Sequence, residues 1–166
     1  MAGKERKARK DLSLLVLSGE SAVSKSDVNE TMATKVLDSW ALIAFFEDEP
    51  AAEQVEKLLT QAAADRHKLL LSVVNWGEIY YSTMREVSQE AAEQHARAIA
   101  ALPIEIVGVG DDLALARQAA IYKATRKMAY ADCFAAALAK LKNAELLTGD
   151  PEFKAVEKEV KISWIK

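Results

Sequence analysis

The sequence predicts an α/β fold in which a central, mostly parallel sheet is covered by helices on both faces, and three observations carry that expectation. Short apolar runs alternate with longer stretches of helical periodicity, the pattern of βαβ units. The run Leu69 to Leu71 is apolar at every position, as a strand buried on both faces is. The stretch Met128 to Phe153 joins an alanine-rich helix to a short apolar strand, Glu145 to Thr148, and a sharp Gly149-Asp150-Pro151 stop. The small residues let that helix lie close against a sheet, which leaves no room for its carboxylates to be buried without a cap, a cation or solvent.

Residues 1–31 stand apart from this pattern. Lys4, Arg6, Lys7, Arg9 and Lys10 form a basic cluster, and Ser18 to Thr31 is polar and weakly patterned, so we expect a flexible arm with a helical turn around Leu12 to Leu17. It reads either as a solvated tail or as an electrostatic hand for RNA. A self-sufficient domain begins at Met32 and runs to Lys166, and Met32 is a possible second start for translation. Within it, Thr34 to Leu37 is a strand ending at Asp38, Trp40 to Phe46 a helix, and Pro50 to about Ala64 a second, amphipathic helix. Leu69 to Leu71 is the next strand, and Ser72 caps a helix whose core candidates are Trp76, Ile79, Tyr80 and Met84. Ser88 to Ala101 is helical and stops before Pro103; Ile104, Ile106 and Val109 suggest a third strand with alternate burial. Asp111 and Asp112 open the helix Leu113 to Thr125, where early acids suit the dipole. After the alanine-rich helix and its strand come a short helix from Pro151 and a last strand, Val160 to Ile165, with Trp164 in the core.

Composition narrows the function classes. A net charge of -3 gives no bulk attraction for nucleic acid, so a polyanion needs a local patch or a metal ion. One cysteine excludes an internal disulfide, and with only two histidines a structural zinc site is not expected; the cytoplasm is the simplest location. No apolar run approaches the roughly 18 residues of a membrane span, and no phosphate-binding glycine loop or dinucleotide fingerprint is present.

In an open parallel sheet, ligands sit outside the carboxyl ends of the strands. Asp38 ends the first strand, Asp150 ends the fourth, Asp132 opens the helix feeding the fourth, and Glu78 lies early in the helix after the second. Each aspartate is also explicable as a helix cap, and Glu78 as a snorkelling surface acid. Taken together, four carboxylates on one rim repel and raise one another's pKa unless a divalent cation sits among them. Oxygen ligands without His or Cys favour Mg²⁺ or Mn²⁺, and the chemistry implied is phosphodiester hydrolysis.

The segments Val36-Leu-Asp38-Ser39, Asn75-Trp-Gly-Glu78-Ile-Tyr-Tyr, Ala131-Asp132-Cys-Phe-Ala-Ala-Ala-Leu-Ala139 and Leu146-Leu-Thr-Gly-Asp150-Pro-Glu-Phe153 resemble, in order and spacing, the motifs of the PIN-domain nucleases. More narrowly, the chain from Met32 to Lys166 resembles the compact VapC-type toxins of toxin-antitoxin pairs. The resemblance implies a three-layer PIN-like fold and a Mg²⁺-dependent endoribonuclease, commonly a homodimer, inhibited by a cognate antitoxin whose tail enters the acidic groove. It places the four acidic positions on Asp38, Glu78, Asp132 and Asp150, with Ser39 and Thr148 as flanking hydroxyls. The chain departs from the family at Arg126-Lys-Met-Ala-Tyr130, where a glycine is common, and in the basic arm, whose charge is opposite to that of the groove.

Other residues keep two readings. Lys123, Arg126 and Lys127 hold RNA phosphates or simply suit a helix end. Trp40 and Trp76 stack a base or fill the core, the latter favoured. Cys133 is small buried filler rather than a nucleophile, and His67 and His95 are surface residues. Two other classes remain: a phosphoacceptor signalling module, against which Asp38 stands alone after its strand, and a catalytically silent PIN module that only binds.

Overall fold

The structure is a computed structural model, and it describes residues 33–166. The predicted arm and the alternative start at Met32 lie outside the described residues. Five strands, β1 (Ala33–Leu37), β2 (His67–Ser72), β3 (Ile104–Val107), β4 (Glu145–Thr148) and β5 (Ile162–Trp164), form one sheet in the order β3-β2-β1-β4-β5. Every pairing among the described residues is parallel, where a mostly parallel sheet is expected.

The three inner strands alternate between two cores. Val36, Leu70 and Leu146 point to one face, whereas Leu37, Leu69, Leu71 and Leu147 point to the other. Side chains of period two with apolar residues at every position require cover on both sides. On the first face lie α5 (Ala114–Thr125), α6 (Tyr130–Leu141) and the 3₁₀ helix Pro151–Val156. On the second lie α1 (Ser39–Phe46), α2 (Ala52–Ala63) and the apolar side of α4 (Gln89–Ala101). Helix α3 (Val73–Glu86) sends Val74 toward the first core and Ile79 toward the second, and so spans the carboxyl rim between them.

Helix α6 is buried at every position from Ala131 to Ala139. Its alanines allow close approach to β1, β2 and β4 beneath it, and α5 covers its outer side. The expected core is corrected at several places. Of the residues predicted on α3, only Ile79 is buried; Trp76 and Tyr80 stack on each other at 5.6 Å and Met84 is exposed. Trp76 still packs, half-buried, against the second core, whereas the Tyr80 hydroxyl reaches Glu93 on α4 and Met84 faces solvent. Strand β3 ends at Val107; Ile104 and Val107 pack partly buried against the second and first cores, while Ile106, on this edge strand, is exposed. Trp164, on the opposite edge, is also exposed. His95 is no free surface residue: it stacks on Phe46 at 4.3 Å and its Nδ1 lies 3.1 Å from Thr83 Oγ1. Cys133 is buried, as expected.

Candidate active site

From β1 the strand order steps outward through β2 to β3 on one side, while β4 and then β5 lie on the other, so the order reverses between β1 and β4 although all strands stay parallel. At such a switch point the loops part and leave a crevice outside the carboxyl ends. Asp38 leaves β1 and Thr148-Gly149-Asp150 leave β4 on that crevice. The parallel register, Leu37 beside Leu147, then sets Asp38 against Thr148.

Asp38 is 1 % exposed and held by two donors. The Ala41 amide donates to Oδ1 at 2.9 Å, which makes Asp38 the cap of α1, and Thr148 Oγ1 donates to Oδ2 at 2.7 Å. Burial nevertheless pushes its pKa from 3.8 to about 7, against the two hydrogen bonds and with the help of Asp150 and Glu78. Asp132 sits in the first turn of α6 but is not its cap, a position held by Ala129. No described residue donates a hydrogen bond to it, and burial, then Glu78, Asp38, Asp150 and Glu152, raise its pKa to about 8. Asp150 caps the 3₁₀ helix through Oδ1, 2.8 Å from the Glu152 amide, and its own amide donates to Thr148 Oγ1 at 2.9 Å. Glu78 takes a bond of 2.5 Å from Ser39 Oγ on Oε2. The capping readings of Asp38 and Asp150 therefore hold at the same time as their convergence: Asp150 caps through Oδ1 alone, whereas each oxygen of Asp38 accepts one hydrogen bond, from Ala41 and from Thr148.

Two further residues build this site. Asn75 is fully buried and its Nδ2 donates to Ser39 Oγ and to the Ala131 carbonyl, both at 3.1 Å, joining α1, α3 and α6 just beside Glu78 and Asp132. Its Oδ1 has no partner among the described residues. Glu152 accepts the Ala129 amide at 2.9 Å and adds negative charge near Asp132. Both lie inside the quoted sequence motifs, and their polarity one turn or less from an acid was the available signal. Gly149 is required by Trp40: a Cβ there would stand 2.3 Å from the indole ring, so this tryptophan packs on the β4 turn.

The basic residues before Asp132 have other employment. Lys123 Nζ donates to the Met128 carbonyl at 2.7 Å, and Arg126 pairs with Glu159 at 2.8 Å, so both fasten the turn into α6. Lys127 is exposed.

The donor chemistry suits a hard divalent cation. Four carboxylates and two hydroxyls share the crevice, and no described Lys or Arg forms an ion pair with any of the four acids. As they stand, no three described His, Cys, Asp or Glu side chains form a ready set of ligands, so closing round an ion requires the acids to rotate toward one another. No described helix is long and apolar enough to cross a membrane.

Comparisons with known proteins agree with the fold. VapBC2 of Rickettsia felis, bound to a DNA fragment from its promoter, is similar with a TM-score of 0.62 at 14% identity, over 80% of this chain and 99% of that one. VapBC-1 of nontypeable Haemophilus influenzae is similar with a TM-score of 0.58 at 19% identity, over 79% and 97%. VapC20 of Mycobacterium tuberculosis, a toxin that cleaves the sarcin-ricin loop, is similar with a TM-score of 0.57 at 17% identity, over 75% and 95%. No curated protein matches by sequence. The PIN domain family model matches residues 35–159, from β1 through the helix after β4, and so takes in all four acids. The chain belongs to the PIN domain family.

Proposed function

We propose that this chain is a divalent-metal-dependent endoribonuclease of the VapC kind, a toxin that cuts RNA, is neutralised by an antitoxin and acts as a homodimer in the cytoplasm. The observation that carries the reading is the convergence of Asp38, Glu78, Asp132 and Asp150 on one crevice with no described basic partner. Burial first, and then the neighbouring acids, raise the pKa of Asp38 and Asp132, so that a cation among them would relieve both costs. The antitoxin partner is supported by neighbours that are toxin-antitoxin complexes, and the RNA substrate by the neighbour that cleaves the sarcin-ricin loop.

In this reading Asp38, Asp132 and Asp150 hold Mg²⁺ or Mn²⁺, with Glu78 completing the set through water. The ion, when bound, supplies a Lewis acid that activates water and takes up charge developing at phosphorus. Thr148 and the Ala41 amide fix the Asp38 carboxylate in one orientation. Ser39 fixes Oε2 of Glu78, whose carboxylate orients the attacking water by accepting its hydrogen. Lys127, exposed beside the turn into α6, is the remaining candidate for an RNA phosphate, since Lys123 and Arg126 are engaged.

The test is cleavage of total RNA by the full chain with and without EDTA, with the cut ends mapped. Asp38→Asn should abolish Mg²⁺-dependent cleavage while the protein stays folded. A purified variant that cuts as well as the wild type would assign the activity to another site.

A further inference from the structure

Helix α3 extends the acidic crevice into a stripe along its own surface. Glu78, Tyr81 and Arg85 follow at spacings of three and four, and so share one side of the helix. The Tyr81 hydroxyl donates to Glu78 Oε1 at 3.4 Å, and the Arg85 guanidinium carbon lies 5.7 Å from the Tyr81 ring centre. The hydroxyl is thus tethered and one face of the ring is covered by Arg85, yet Tyr81 remains 52% exposed. The Arg85 side chain is 69% exposed, and its ion pair is with the neighbouring Glu86 at 3.3 Å.

Nearby aromatic rings are occupied differently. Trp40 covers Gly149, Trp76 and Tyr80 stack on each other, and the Tyr80 hydroxyl is spent on Glu93 at 2.7 Å. Tyr130 meets Phe134 edge to face at 5.1 Å. Tyr81 therefore combines an open ring with a direct bond to one of the four acids. At 1.5 Å rise per residue, Glu78 and Arg85 stand about 10 Å apart along the axis, a span of one to two nucleotides of extended single strand.

We propose that Tyr81 and Arg85 form a nucleobase subsite: a single-stranded RNA laid along α3 stacks the base next to the cut phosphate on the Tyr81 ring and sets the following phosphate on Arg85. The inference rests on the nuclease reading and names the part of the substrate that it recognises. Stacking on an aromatic face accepts any base, because every base has a π face, and an arginine on the same stripe adds a salt-sensitive contact. The subsite therefore selects unpaired RNA over duplex, rather than one sequence over another.

The experiment measures binding of a fluorescein-labelled single-stranded RNA of mixed sequence to the full chain, with Ca²⁺ replacing Mg²⁺, by anisotropy. Tyr81→Leu should weaken binding about tenfold, the order expected for one stacked base. Tyr81→Phe, which keeps the ring, should bind within about twofold of the wild type. Arg85→Gln should lower the slope of log affinity against log salt by about one. The wild type should lose the same factor on an abasic oligomer, where Tyr81→Leu loses nothing further. Equal affinity of Tyr81→Leu and wild type overturns the proposal and leaves the stripe as a protein-docking face. A Tyr81→Leu loss undiminished on the abasic oligomer also overturns it. Cleavage by the wild type and by Asp38→Asn in Mg²⁺ is run in parallel. Cleavage that fails while binding still depends on Tyr81 sinks the nuclease reading alone; cleavage that stands while Tyr81 is indifferent sinks the subsite alone.

Discussion

Replacing Asp38 by Asn removes a charge from a place that resists it, and the two proteins should exchange their order of stability as pH changes. In the folded chain without metal, Asp38 holds its proton to about pH 7, whereas an unfolded aspartate releases it near 3.8. Below 3.8 both states are protonated and there is no penalty. As pH rises through 7 the unfolded state has fewer protons than the folded one, so wild-type stability falls, and above 7 the loss is complete. At ~1.4 kcal/mol per pH unit the interval corresponds to about 4 kcal/mol. Asparagine avoids that cost but has its own. Its Oδ1 still accepts the Ala41 amide, while its Nδ2 faces Thr148 Oγ1, which already accepts the Asp150 amide. The Thr148 hydroxyl hydrogen loses its acceptor, at about 1 kcal/mol. Asp38→Asn should therefore be about 3 kcal/mol more stable than wild type at pH 8 and about 0.5 kcal/mol less stable at pH 4, with the curves crossing near pH ~4.5. The assay is urea unfolding of both full chains in EDTA across that range. The difference between the two is the quantity to read, because half-buried His95, its pKa lowered by burial, contributes the opposite slope to both. A difference that is flat with pH, or that favours the wild type increasingly as pH rises, refutes the reasoning.

Three further outcomes follow from contacts in and beside the site. Asn75→Ala should cost about 1–3 kcal/mol in urea unfolding, since Ser39 and the Ala131 carbonyl lose a buried donor. Gly149→Ala should cost about 1–3 kcal/mol and shift tryptophan fluorescence, because the new methyl must displace the Trp40 ring; Trp40→Leu in the same chain should recover most of that loss. Cys133 is buried and its thiol pKa is raised by burial, so iodoacetamide should add no mass to the folded protein and one carbamidomethyl group after denaturation.

The sheet, the helix order and the places of Asp38 and Asp150 were legible because each has a local signature: apolar runs for doubly covered strands, and acids at the junctions where strands end. What the sequence concealed depends on which neighbour a side chain meets. Trp76, Tyr80 and Met84 have the spacing of a core face, but only Trp76 reaches the core, and α4 and solvent take the positions of Tyr80 and Met84. Ile106 and Trp164 are apolar residues on edge strands, and a residue's own type does not reveal that its strand is at an edge. Lys123 and Arg126 have the charge for phosphate, yet Lys123 turns to a carbonyl five residues on and Arg126 to Glu159, which is near in space and far in the chain. Asn75 shows the same limit from the other side. Its three-residue offset from Glu78 is visible, but its bond to Ala131 spans elements that only the fold brings together.

The acids themselves differ in freedom, and that difference fixes how metal affinity should depend on pH. Asp38, Glu78 and Asp150 each accept at least one hydrogen bond that fixes an oxygen, whereas no described residue donates to Asp132. In the proposed reading three acids would form a fixed wall and Asp132 would have the most freedom to turn toward an ion, since among the described residues no closed ligand set stands ready. A cation competes with protons for the same oxygens. With pKa values of about 7 for Asp38 and about 8 for Asp132, metal entry below neutrality must expel a proton from each. Mn²⁺ affinity should therefore rise steeply from pH 6 to 8, by up to about tenfold per pH unit for each proton expelled, and binding at pH 6.5 should release protons to the buffer. Calorimetry in buffers of different ionisation enthalpy measures both. An affinity unchanged between pH 6 and 8 would mean that the ion is held by oxygens other than those of Asp38 and Asp132.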